Sequence, residues 1–286
     1  MRRIARKRVR TVVATTAVAV LTALTIAPRV YMVLVSFMPR GESTTLPTPL
    51  WPSRWSGENY YELLVRRQVD GGWFDYRIVP ALINSLAIAA ISTLLGLLLT
   101  VPAGYAFAKL RFRGRERLLQ LLIGALVVPG QVAMLPLFLI FKELGLVNSY
   151  AGVILPSLAG IFAILFVRQA TLAIPDEMLD AARIDGASEW RIFVSIVLPL
   201  LTPIVVTLAL FLFLGSWNDF LWPLIMLADQ HLYTLPVAVA AIAREHAADG
   251  ELMMAAAVVT TTPVLLLFLA LQRYYLTGLL GGSIKG

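Results

Sequence analysis

The sequence predicts an all-α membrane protein with six transmembrane helices and a polar helix–glycine–helix loop between the fourth and the fifth. Three observations carry this. Only 14% of the 286 residues are charged and 59% are hydrophobic, whereas a soluble domain carries about a quarter charged residues. Six apolar runs reach the roughly 20 residues that a helix needs to cross a bilayer core: 11–38, 79–107, 118–141, 150–168, 197–227 and 252–276. Against that background "DAARIDGASEWRIFVSIVLP", residues 180–199, stands out because it holds Asp180, Arg183, Asp185, Glu189 and Arg191 between two such runs. Strict period-two alternation is missing from the runs, which favours helices over a barrel.

The elements follow in order. Residues 1–10, "MRRIARKRVR", are a basic tail ahead of the first span at 11–38. That run is too long for a signal-peptide core and lacks a clear cleavage site after it, so it reads as a retained span. Residues 39–78 form a long loop with Trp51, Trp55, Trp73, the proline-rich "LPTPLWPSRW" and a short helical candidate, "ENYYELLVRR". Its aromatic residues suit either an interfacial belt or a surface for an external partner. Residues 79–286 make a five-span core with the polar loop at 174–199 and a short tail. Pro102, Pro129, Pro136, Pro156, Pro203 and Pro263 fall inside apolar runs, where neighbouring groups in a bundle re-satisfy the carbonyls they free.

Lysine and arginine set the orientation. With the N-terminus inside, the inner segments hold Arg2, Arg3, Arg6, Lys7, Arg8 and Arg10, then Lys109, Arg111, Arg113, Arg115 and Arg117, then Arg168, Arg183, Arg191, Arg273 and Lys285. The outer segments hold only Arg40, Arg54, Arg66, Arg67, Arg77, Lys142 and Arg244. This bias puts both termini and the polar loop in the cytoplasm. The net charge of +7 thus lies in topology signals rather than a nucleic-acid-binding face. Arg29 is left within the first run, beside Pro28, to snorkel outward, to face the bundle, or to mark an earlier end of the span. The chain has no cysteine, which excludes disulfides and thiolate metal sites. Its two histidines, His231 and His246, fall in the last outer loop and read as solvated rather than as ligands.

The polar loop parses as two short helices. Pro175 suits a first helical position, and Asp176 and Glu177 in the first turn complement the helix dipole. Asp185-Gly186 ends that helix, since glycine takes the left-handed conformation readily. Ser188 caps a second helix that runs toward Pro199 and the fifth span. Two helices with a fixed elbow make a lever able to transmit force between a soluble partner and the bundle. In the fifth run, "GSWNDFLWPL" places Asn218 and Asp219 where an unpaired charge is costly. Either they sit at the outer end of the span, paired or hydrated, or they line a pore with Trp217, Phe220 and Trp222. Aromatic faces with amide and carboxylate groups suit sugars.

The loop resembles the cytoplasmic motif of ABC importer permeases: Glu-Ala-Ala, three residues, Gly, nine residues, Ile-x-Leu-Pro. Asp180, Ala181, Ala182, Gly186, Ile196, Leu198 and Pro199 occupy its places in register, with aspartate for the first glutamate. "INSLAIA", "VPAGYAFAKLRFRGR", "LFLIFKELGLVNSYAGVILP", "GSWNDFLWPL", "TLPVAVA" and the ending "LQRYYLTGLLGGSIKG" are similar to the carbohydrate-uptake, maltose-type class, from Asn84 to Gly286.

The resemblance implies half of a heterodimeric pore in a prokaryotic plasma (inner) membrane, with a second permease subunit and two ATPase subunits that bind ATP and magnesium. An extracytoplasmic solute-binding protein would deliver a carbohydrate, and the seven motif positions would form the ATPase coupling surface. The chain is then not itself an enzyme and binds no cofactor, metal or nucleic acid. Consistent with this division, it carries no Gly-x-x-x-x-Gly-Lys-Ser/Thr loop for phosphates. The alternatives are an ABC permease for another solute class and an ion-coupled secondary transporter, which calls for internal repeats with matched broken helices.

Overall fold

The computed structural model describes residues 2–65, 78–158, 160–245 and 249–280, with side chains for 11–65, 78–158, 160–244 and 249–272. Trp73, His246, Arg66, Arg67, Arg77 and Lys285 lie outside the described residues, and Arg273 is described only in its backbone. In chain order the helices are α1 (Arg2–Ser36), α2 (Glu58–Leu64), α3 (Ile78–Lys109), α4 (Arg115–Ala125), α5 (Gly130–Glu143), α6 (Tyr150–Ile154) and α7 (Ile161–Leu172). They continue as α8 (Asp176–Ile184), α9 (Glu189–Ile192), α10 (Leu198–Leu200), α11 (Thr202–Trp217), α12 (Leu221–Met226), α13 (Leu235–Glu245) and α14 (Gly250–Leu280). No strand occurs among the described residues. By length and composition four helical stretches can cross a membrane, or up to six if each of two sharply bent pairs is one span.

The chain divides into two compact units, Met1–Ile78 with Val239–Thr262, and Val79–Ala238 with Pro263–Gly286. In the first, residues 11–30 of α1 are exposed on every face, as suits a helix whose surroundings are apolar. Arg29 turns back along its own helix and donates to the Thr25 carbonyl at 2.6 Å. Buried contacts begin where α1 ends. The buried Asn59 on α2 donates to the carbonyls of Ser36, at 3.0 Å, and Met38, at 2.9 Å, taking two acceptors that the helix end leaves open. Phe37 packs on Tyr60 and Trp55. Arg40 pairs with Glu62, and the buried Glu251 accepts the Ser43 N–H at 2.6 Å. The segment after α1 is therefore an ordered cap held by side chains.

In the second unit α3 runs unbroken through Pro102. The expected single helix at 118–141 is instead two, α4 and α5, bent by 102°. The cause is Pro129, which disfavours helical backbone at Val128, lacks an N–H, and starts α5 from an extended conformation. The expected helix at 197–227 is broken twice. A 79° bend separates the stretch Glu189–Leu200 from α11, between Pro199 and Pro203. Past Trp217 the chain turns at Asn218, whose side chain takes the Leu214 carbonyl at 2.8 Å and so competes with the helical ladder. A π-helical turn, Phe193–Val197, joins α9 to α10.

The packing of α3 against α7 depends on one glycine. A Cβ on Gly104 would lie 2.6 Å from Val167 Cβ and 3.0 Å from the Arg168 backbone nitrogen, so only a residue without a side chain allows this approach. Gly104→Val is expected to lower stability by about 1–3 kcal/mol through overpacking. Gly124→Ala, where a Cβ meets nothing within 4 Å, should not. Thermal unfolding of the two variants in detergent checks the contrast.

Candidate functional site

The lever is built as its residue types dictate. Pro175 is extended and immediately precedes α8, one place earlier than the sequence suggests, and Asp176 and Glu177 fill the first turn. At the other end the Ala187 N–H reaches the Ala182 carbonyl and the Gly186 N–H the Arg183 carbonyl, each at 3.0 Å. Gly186 sits at φ +82°. This is the paired C-terminal bonding that a left-handed residue closes. Ser188 Oγ then accepts the Arg191 N–H at 3.4 Å to start α9.

The inner face of the lever is part of the unit's core. Leu179, Ile192, Phe193 and Val197 are buried in one apolar cluster with Val101 and Tyr105 of α3, Ala163 and Val167 of α7 and Leu208 of α11. Ala182, Ile196 and Leu198 are half-buried against it. Three polar links fasten its edge. Lys109 Nζ, at the end of α3, donates to the Ile174 carbonyl at 2.6 Å and to Asp176 Oδ1 at 2.7 Å. Tyr105 OH donates to Glu189 Oε2 at 2.8 Å. Arg183 bridges the two lever helices, with Nε on Glu189 Oε1 at 2.7 Å and Nη1 on Asp180 Oδ1 at 2.6 Å. The Lys109 hydrogen bond and charge hold the Asp176 carboxyl below the usual carboxylate range. Hydrogen bonds to Glu189 and then Asp180 push Arg183 further up.

The outer face is open. Asp180, Ala181, Gly186 and Pro199 are exposed. Beside them Ile184 is 85% and Trp190 68% exposed, with Met178 also outward, an apolar surface flanked by charge. The seven motif positions therefore divide. Asp180, Ala181, Gly186 and Pro199 present themselves outward, while Ala182, Ile196 and Leu198 pack inward. Sequence reasoning missed Ile184 and Trp190, although large apolar residues in a polar loop were a usable signal. It also missed Lys109, Tyr105 and Glu189 as fasteners, because they come together only through the fold.

The "WNDFLW" stretch combines packed and open residues. Trp217 is 1% exposed and stacks on Phe213 at 5.8 Å. Trp222 is 6% exposed, donates Nε1–H to the Gly152 carbonyl at 3.0 Å and meets Phe141 edge to face. Both indoles are packed within the chain. Asn218 is exposed, and Asp219 and Phe220 are half-buried, with Asp219 Oδ1 accepting the Trp222 N–H at 3.4 Å. Two further asparagines, Asn84 and Asn148, lock the neighbouring turns. Asn84 donates to the carbonyls of His231, at 2.9 Å, and Tyr233, at 3.0 Å. Asn148, at φ 59°, accepts from the N–H groups of Ala228 and Asp229. His231 is exposed.

Comparison with known proteins agrees with this architecture. Residues 96–279 match the family described as binding-protein-dependent transport system inner membrane component. The chain belongs to that family. It is 35% identical to an arabinooligosaccharides transport system permease protein of Halalkalibacterium halodurans, over 91% of each chain. It is also 35% identical to a lactose transport system permease protein of Rhizobium radiobacter, over 71% of this chain and 74% of that one. Among solved structures, a bacterial ABC transporter involved in the import of the acidic polysaccharide alginate shares the fold, with a TM-score of 0.79 at 21% identity, covering 94% of this chain and 97% of the other. The protein is accordingly a multi-pass membrane transport subunit with the fold of ABC importer permeases.

Lys109→Met removes the cation that holds the start of α8 while leaving the apolar cluster intact. Amide exchange at residues 176–187 is expected to rise by roughly tenfold, with the core of α3 unchanged. Hydrogen-exchange mass spectrometry measures this directly.

Proposed function

We propose that the chain is one of two permease subunits forming the transmembrane path of an ATP-driven importer for a sugar or sugar derivative. An extracytoplasmic binding protein delivers the solute, and two separate ATPase subunits, which hold ATP and magnesium, dock on the lever from the cytoplasm. Both termini are cytoplasmic. The observation that carries this reading is the two-sided lever: its inner face is welded into the core of α3, α7 and α11, and its outer face offers Asp180, Ile184 and Trp190 to a partner. A displacement of the docked subunit would then move the bundle rather than bend a loop. The relatives named for arabinooligosaccharides and lactose support the solute class.

Ile184→Asp puts a charge into the exposed apolar patch, and Gly186→Val forces a β-branched residue into φ +82°, a strain of about 1–2 kcal/mol. Both variants are expected to reach the membrane but to lose ATPase association by at least about tenfold, with uptake lost in parallel. Co-purification and coupled ATP hydrolysis provide the readout, together with a cross-link from cysteine at position 184 to the ATPase. Normal transport by both variants would remove the coupling role from this loop.

For the solute, the binding protein that co-purifies with the complex should bind at least one mono- or oligosaccharide in a calorimetric screen. Of the "WNDFLW" residues, Asn218, Asp219 and Phe220 are the candidates for the path. Asn218→Ala is expected to slow uptake of that sugar while ATPase association persists. Exclusive binding of peptides or metal ions would overturn the solute class.

A further inference from the structure

The loop after α1 folds back alongside the helix that precedes it. Tyr31, five residues before α1 ends at Ser36, donates its hydroxyl to the Pro49 carbonyl at 3.4 Å. The base of the loop is fixed as well. Glu42 Oε1 accepts the Ser53 N–H at 2.7 Å, and Trp55 packs on Phe37. Between these anchors residues 43–53, "STTLPTPLWPS", hold no charged side chain. They nevertheless expose Leu46, Leu50 and Trp51, at 93%, 78% and 64%. Trp51 meets the exposed Trp55 edge to face at 6.0 Å. A cluster of large apolar side chains on an uncharged loop calls for a surface that covers it.

The length of α1 says what that surface is. Its apolar stretch, Thr11–Ser36, has 26 residues, or about 39 Å of helix, whereas a bilayer core is about 30 Å thick. With the basic residues 1–10 held at one surface, about 20 residues carry the helix across the core. The far edge of the core then falls beside Tyr31, and a tilt of the helix only carries Tyr31 deeper. The loop tied to Tyr31 therefore stands at the level of the lipid interface, continuous with the open apolar face of α1. Its composition suits that depth. Pro47, Pro49 and Pro52 have no N–H, so the loop brings few backbone donors that must give up water. Tryptophan, with an apolar body and a polar edge, favours this layer.

We propose that residues 46–51 insert into the headgroup–acyl boundary of the leaflet at which α1 ends. Leu46, Leu50 and Trp51 are the inserted side chains, and Trp55 lies at headgroup depth. The loop is thus a second membrane anchor that fixes the height of α1, whose residues 11–30 are exposed on every face. This requires only that α1 cross a membrane and is independent of the solute and of the ATPase assignment.

The chain has no cysteine of its own, so Thr48→Cys and, separately, Glu58→Cys can each carry one environment-sensitive fluorophore. The full-length chain, with any accompanying subunits made cysteine-free, is placed in phosphatidylcholine vesicles. Nitroxide-labelled phosphatidylcholine should quench the label at position 48 roughly fivefold more than the one at 58, while aqueous iodide should show the reverse preference. Leu46→Asp with Trp51→Asp leaves the Phe37–Trp55 contact intact and should return the position-48 label to water. Leu46→Phe with Trp51→Phe should keep it in lipid. If the aspartate variant fails to insert, the depth of the label in the otherwise unaltered chain and in the phenylalanine variant decides the matter. Iodide quenching at 48 as strong as at 58 would overturn the proposal. So would loss of lipid quenching on addition of an external binding protein, or shielding from both quenchers by a second permease subunit, since either would show that a protein covers the patch.

Discussion

Burial of the lever's inner face in the core of the second unit is the constraint on which the transport architecture rests. Leu179, Ile192, Phe193 and Val197 share one apolar cluster with residues of α3, α7 and α11. A polar loop between two apolar segments would ordinarily be the softest part of such a chain, because it has few buried contacts. Here it cannot move without dragging three helices, since interiors are close-packed and transmit displacement. The polar links from Lys109, Tyr105 and Arg183 add direction. They fix the azimuth of the lever, so that Asp180, Ile184 and Trp190 stay on the outside.

Backbone devices serve the same end. Gly104 allows α3 and α7 to approach until no side chain fits between them, and the left-handed Gly186 sets the elbow. Proline acts as punctuation. Pro129 divides α4 from α5, and Pro199 and Pro203 flank the bend into α11. Where proline falls inside a long helix, as Pro102 and Pro263 do, the helix continues.

Much of this was legible in the residues. The apolar runs are long and the polar loop carries a full set of helix start and stop signals, so the loop's elements could be read to within a residue. The family motif identified the loop itself. The least legible part was "WNDFLWPL". Composition made Trp217 and Trp222 look like a sugar-stacking pair, but a tryptophan that stacks on a sugar and one that fills a core have the same sequence signature. The Gly152 carbonyl accepting the Trp222 Nε1–H and the Phe213 ring stacked on Trp217 show how each indole packs within the chain.

By itself the sequence determined the membrane class, the order of apolar segments, the charge bias between alternate connecting segments and the helix–glycine–helix pattern. All four follow from local quantities: the bilayer's thickness, transfer cost and the backbone preferences of proline and glycine. Tertiary structure alone decided which lever residues face inward, where the apolar runs bend, and which cations fasten the lever. Those outcomes depend on partners far apart in the chain. Tyr105 meets Glu189, and Lys109 meets Asp176. No periodicity within a window of sequence reports on a contact formed across it.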